Sequence, residues 1–192
     1  MIKPKFRHDS AWRRHRCLFN KTLVPAALWP WLLDPESLTR RLQQVCDGHF
    51  RVQLLRQGWA QPLRDESRAL HLRSGRHALV REVYLLCYGR PWVFARTVIP
   101  RATLAGKYRH LTRLGNKSLG AVLFSDPAMQ RSEVEIAAIT PGQTLFEAAT
   151  RGLPSKPRGI WGRRSLFYLG RKPLLLNEVF LHDMSATGHQ QP

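Results

Sequence analysis

The sequence predicts an α+β domain in which helices pack on one side of a single antiparallel β-sheet. Three observations predict it. Two long hairpins share one design, several further segments alternate apolar and polar residues with period two, and the stretches between them carry apolar residues at helical spacing.

Taken in order, LVPAALWPWLLDPESLTRRLQQVCDG places Asp34 before Pro35 as a helix cap and first-position proline, followed by Leu38, Leu42 and Val45 at helical spacing. A short amphipathic helix ending near Gly48 is expected. Phe50, Val52 and Leu54 then alternate with Arg51 and Gln53, which predicts a half-buried strand. REVYLLCY, a turn at Tyr88-Gly89-Arg90-Pro91 and WVFARTVIP make the first hairpin; SLFYL, a turn at Gly170-Arg171-Lys172-Pro173 and LLLNEVFL make the second. Between them, LAGKYRHLTRLG reads as a helix stopped by Gly115, Ser118 caps a second short helix over LGAVLF, and SEVEIA reads as a strand. Residues 138–159 hold Pro141, Gly142, Gly152, Pro154, Pro157 and Gly159, which predicts a surface loop with one helical turn around Leu145 to Ala149. One domain is expected over 1–192, with its core at about 28–181 and mobile ends at 1–20 and 184–192.

Composition narrows the function classes. The chain carries 31 Lys+Arg against 13 Asp+Glu, a formal charge of +18, and so attracts anions without choosing among nucleic acid, acidic lipid and small polycarboxylates. Its basic residues are spread out apart from a cluster at Lys3, Lys5, Arg7, Arg13, Arg14 and Arg16, and no nucleic-acid-reading motif accompanies them. No apolar run approaches the roughly 18 to 20 residues a membrane span needs, and the N-terminus lacks the apolar region of a secretory signal, so a soluble cytoplasmic protein is expected. Cys17, Cys46 and Cys87 form no CxxC pair and are expected as reduced thiols; the eight histidines make no ligand pattern, and no metal is expected.

Two charges stand out against this background. Arg81 in LVREVYLLC lies on the stripe of Leu79, Val83 and Leu85, and Glu178 in KPLLLNEVFL lies on the stripe of Leu174, Leu176 and Phe180. A buried unpaired charge costs several kcal/mol, so each needs a partner or a ligand. The residues alone leave open a structural ion pair, a sheet edge or a binding site.

The blocks REVYLLCYGRPWVFARTVIP, LGNKSLGAVLF and GIWGRRSLFYLGRKPLLLNEVFL, in that order, resemble the chorismate lyase family of ubiquinone biosynthesis, over about Leu28 to Leu181. The resemblance implies an antiparallel sheet with helices packed on it and a ligand pocket beneath two helical flaps. It also implies conversion of chorismate into 4-hydroxybenzoate and pyruvate without metal or organic cofactor. A monomer is expected from the residues themselves, because no heptad or apolar surface stripe is left over once the sheet and helices are assigned. On matching positions the resemblance gives Arg81 a substrate carboxylate and Glu178 the ring hydroxyl. The amides of Leu119 and of Leu38, which stands where some members have methionine, then join Arg81 on the carboxylate.

Secondary readings follow. Arg96 shares a face with Trp92, Phe94 and Val98 and is expected to pair with Glu82 or Glu135, with the enolpyruvyl carboxylate as the alternative partner. Trp161, Arg163 and Arg164 are expected to brace the sheet and the preceding loop. Two other function classes stay open: a non-catalytic domain sensing small aromatic acids, as in effector domains of transcription regulators, and a basic nucleic-acid-binding protein.

Overall fold

The computed structural model describes residues 10–14 and 24–181. Of the basic N-terminal cluster only Arg13 and Arg14 fall within it; Lys3, Lys5, Arg7, Arg16, Cys17 and the 184–192 tail lie outside the described residues. One antiparallel sheet organises the chain, in the order β1-β6-β7-β8-β4-β3-β2, with β5 pairing the far end of β7. The strands are β1 (Arg13–Arg14), β2 (Phe50–Ala60), β3 (Ala78–Cys87), β4 (Arg90–Pro100), β5 (Met129–Arg131), β6 (Glu135–Ile139), β7 (Ile160–Leu169) and β8 (Lys172–Phe180).

Both expected hairpins form. β3 and β4 turn through Tyr88 and Gly89, whose φ values of 51° and 73° are the pair of positive angles that a two-residue turn between twisted strands requires. β7 and β8 pair in continuous register from Trp161↔Phe180 to Leu169↔Lys172, and β8 docks on β4 with Ala95 opposite Glu178. Arg81 and Glu178 are thereby carried on two strands separated only by β4.

Side-chain alternation gives the sheet two different faces. One carries Leu79, Val83, Leu85, Ala95, Phe167, Leu174 and Leu176, and packs against α1 (Trp29–Leu32), α2 (Leu38–Val45), α4 (Leu119–Ser125) and the 3₁₀ segment Gly106–Arg113. The other carries Tyr84, Phe94 and Val179 against Leu145, Phe146 and Ala149 of α5 (Thr144–Thr150), and Val80 and Val98 beside α3 (Arg64–Ala69). Helices therefore cover both faces, where the sequence led us to expect one. α3 carries buried Asp65 and Glu66 in place of an apolar stripe, so hydrophobic periodicity does not reveal it.

Three local expectations are corrected. α2 is capped by Ser37, whose hydroxyl accepts from Arg40 N, and not by Asp34; the Asp34 carboxylate accepts from Glu36 N and closes a turn that holds the chain out of helix. LAGKYRHLTRLG forms a 3₁₀ helix over Gly106–Arg113. Cys46 and Cys87 are not free thiols but a disulfide, because the β2–β3 register sets Cys87 opposite Phe50, beside the C-terminal cap of α2, across a sequence separation of 41. Within the loop at 138–159, α5 is the expected helical turn extended by one residue at each end. Among the described residues no helix is long and apolar enough to cross a membrane.

Candidate functional site

The apolar face of the sheet and the helices above it line a cavity with charged side chains in its wall. Its floor is Arg81 and Val83 of β3, Ala95 and Thr97 of β4, and Leu176 and Glu178 of β8. Its roof is the start of α2 and the start of α4.

The roof follows from two serine caps. Ser37 and Ser118 accept from the amides three residues on, starting α2 at Leu38 and α4 at Leu119. The two caps are tied by a 2.8 Å hydrogen bond between Thr39 and Ser118 hydroxyls, and Gly120 permits the approach, since a Cβ there would sit 3.0 Å from Thr39 Oγ1. First-turn amides have no acceptor within their own helix, and Leu38 and Leu119, each the first residue of its helix, are buried on the cavity wall.

Arg81 is 2% exposed. Its Nη2 donates to the carbonyls of Gly115 and Lys117, at 2.9 and 2.8 Å, which fixes the loop that leads into α4. Its Nε is buried without a partner, and among the described residues no carboxylate pairs with it. Desolvation without a counter-charge lowers its pKa to about 10. A planar cation in this state is short of one anion.

Glu178 is satisfied differently. Arg163, its register partner on β7, donates from Nε to Glu178 Oε2 at 2.6 Å, and Arg163 Nη1 holds the carbonyls of Trp31 and Asp34 at 2.7 and 2.9 Å. The structural ion pair between Arg81 and Glu178 left open by the sequence does not form. The structure brings all four of the sequence's candidate positions, Arg81, Glu178, Leu38 and Leu119, to one cavity.

It also brings two arginines that sequence reading did not place there. Arg163 was expected only to brace the sheet, although its stripe of Trp161, Phe167 and Leu169 carries the same signal of a charge among apolar residues. Arg131 comes from a three-residue strand too short to show periodicity. Arg96, conversely, is on the opposite face, with Nε and Nη2 on the Glu66 carboxylate at 2.7 and 3.0 Å and Nη1 on Glu82. Its ion-pair reading holds for Glu82, with Glu66 added; Glu135 pairs instead with Arg164. Among the described residues no cluster of three or more His, Cys, Asp or Glu is placed to hold a metal ion.

The arrangement of sheet and helices is similar to that of solved transcriptional-regulator structures. The PhnF C-terminal domain superposes with a TM-score of 0.56 at 16% identity, over 71% of this chain and 85% of that one. A GntR-family transcriptional regulator from Bacillus cereus gives 0.51 at 11% identity, over 75% and 96%. At such identities the likeness is one of fold alone.

Sequence kinship is more specific. The chain belongs to the chorismate lyase family, whose profile matches residues 9–187. A Nitrosomonas eutropha protein named "Probable chorismate pyruvate-lyase" is 45% identical over 158 residues, covering 82% of this chain and 88% of the relative. One from Pseudomonas aeruginosa strain UCBPP-PA14, of the same name, is 46% identical over 163 residues, covering 84% and 86%. The protein is a lyase, and its substrate is chorismate.

Proposed function

We propose that this chain is a chorismate pyruvate-lyase that releases 4-hydroxybenzoate and pyruvate, acting as a cytoplasmic monomer in the first committed step of ubiquinone biosynthesis. The observation that carries the site assignment is the buried, carboxylate-free Arg81, which shares its cavity with Glu178. In this reading Arg81 and the amides of Leu38 and Leu119 hold the ring carboxylate, and Glu178 accepts the hydrogen bond of the hydroxyl at C4.

The chemistry asks little of the protein beyond placement. The ether bond at C3 breaks, the hydrogen on C4 passes to the methylene of the enolpyruvyl arm, and the arm's C–O bond becomes the carbonyl of pyruvate. The electron pair released at C4 closes the third ring double bond. Aromatisation drives the step, and the cavity contributes by folding the arm over the ring and excluding water. Glu178, paired with Arg163, orients C4 and favours the developing phenol.

The deciding assay is direct. Purified protein incubated with chorismate is expected to release 4-hydroxybenzoate and pyruvate in equal amounts. Tight binding of 4-hydroxybenzoate with no turnover would overturn the lyase reading in favour of a sensor, and salt-sensitive retention on DNA with neither would favour a nucleic-acid-binding protein.

A further inference from the structure

Five charged side chains line the cavity: Glu36, Arg81, Arg131, Arg163 and Glu178. Arg163 and Glu178 neutralise one another. Glu36 is exposed. Two cations, Arg81 and Arg131, are left with no carboxylate in contact among the described residues.

Arg131 is held in place without being neutralised. Its Nε donates to Ser165 Oγ at 3.0 Å, its Nη1 donates to the carbonyls of Asp34 and Pro35 at 3.1 and 2.9 Å, and its guanidinium carbon stands 5.4 Å from the centre of the Phe167 ring. These contacts fix the plane of the fork and leave Nη2 without a hydrogen bond among the described residues. Burial, and then the charge of Arg163, lower its pKa against the pull of Glu178 and Asp34, and the pull of Asp34 is shared with Arg41 at 3.0 Å. The guanidinium is fixed and incompletely compensated, as Arg81 is.

Substrate chemistry says what this second cation is for. Chorismate carries two carboxylates, one on C1 and one on the enolpyruvyl arm, and the arm leaves from C3, the neighbour of C4. With the C1 carboxylate on Arg81 and the C4 hydroxyl on Glu178, the arm falls at the Glu178 end, where Arg163 is already committed to Glu178. We propose that Arg131 binds the enolpyruvyl carboxylate and thereby sets the arm over the ring. The inference rests on the ring orientation proposed above. It makes Arg131 selective for substrate over product, because 4-hydroxybenzoate keeps only the carboxylate on Arg81.

Two unreactive ligands isolate this contact: 4-hydroxy-3-methoxybenzoate, with one carboxylate, and 3-(carboxymethoxy)-4-hydroxybenzoate, with a second one in place of the arm's. By titration calorimetry the wild type is expected to bind the dicarboxylate more tightly by about tenfold, the scale of one charge-assisted contact. Arg131→Gln is expected to lose that preference, to keep its affinity for the monocarboxylate within about twofold, and to lose about tenfold or more in kcat/KM for chorismate. Arg131→Lys should retain part of the preference; it carries the comparison if the glutamine variant fails to fold. Equal weakening of both ligands would make Arg131 a strut for the segment at Asp34 and Pro35, and would overturn the proposal, as would an unchanged preference. A wild type that prefers the dicarboxylate yet does not turn over chorismate would refute the lyase reading while leaving the second carboxylate site standing.

Discussion

Glu178 faces Arg163 directly across the β7–β8 ladder at 2.6 Å and makes no contact with Arg81, although both acid and arginine line one cavity. Two charges that might have cancelled are kept apart, one neutralised on site and the other left without a counter-charge. This asymmetry makes their substitutions behave differently.

Arg81→Met removes a buried cation with no counter-charge. Ligand binding is expected to be lost: 4-hydroxybenzoate should raise the melting temperature of the wild type and leave that of the variant unmoved. The unliganded variant should be no less stable than the wild type, since the desolvation relieved offsets about 1 to 3 kcal/mol for the two carbonyls left behind. The pH dependence has a definite sign. The folded-state pKa of about 10 lies below the ordinary arginine value, so the penalty for charged Arg81 is fully present below pH 10 and is relieved as pH rises beyond it. Any advantage of the variant in denaturant melts should therefore shrink above pH 10. A variant that still binds 4-hydroxybenzoate would remove Arg81 from the site.

Glu178→Gln mixes two effects that a second substitution separates. The amide leaves Arg163, 1% exposed, without its counter-ion, and breaking such a pair from one side costs about 3 to 5 kcal/mol. Turnover should fall as well. Glu178→Gln with Arg163→Met removes the stranded charge and is expected to recover part of the stability with no recovery of kcat. Full turnover in the single variant would deny Glu178 a charged role.

Much of this site was legible as charges on otherwise apolar stripes, and the rule that found Arg81 and Glu178 would have found Arg163 between Trp161 and Phe167. Arg131 was not legible, because a strand of Met129–Arg131 is too short for alternation to assign a face. The hairpins were legible because their turns and period agree. α3 was hidden because its inward face is acidic: Glu66 takes Nε and Nη2 of Arg96, the Asn177 amide and the amide of Leu63, and Asp65 takes Arg164 and Trp12. A helix that buries carboxylates against arginines has no hydrophobic period to read.

Arg96 provides the contrast to Arg81. It lies on the opposite face of β4 from the cavity and neutralises Glu66 and Glu82, both buried. Arg96→Met strands two acids and should destabilise the fold by about 3 kcal/mol or more. Protein that remains folded at low temperature should show a wild-type KM for chorismate. A raised KM with unchanged stability would place Arg96 in the substrate's path.

The disulfide allows a test of stability apart from function. Cys46 and Cys87 close a sequence separation of 41, and chain-entropy arguments give such a crosslink up to about 4 kcal/mol. Neither cysteine lines the cavity, and the bond ties the C-terminal cap of α2, the end remote from Leu38. Reduction, or the Cys46→Ser and Cys87→Ser pair, is therefore expected to lower the denaturant midpoint while leaving KM and kcat unchanged. The comparison bears on location too, because a reducing compartment keeps thiols open and the proposed cytoplasmic enzyme must work in that state. Loss of turnover on reduction would show that the α2 roof depends on the crosslink, and would count against a cytoplasmic site of action.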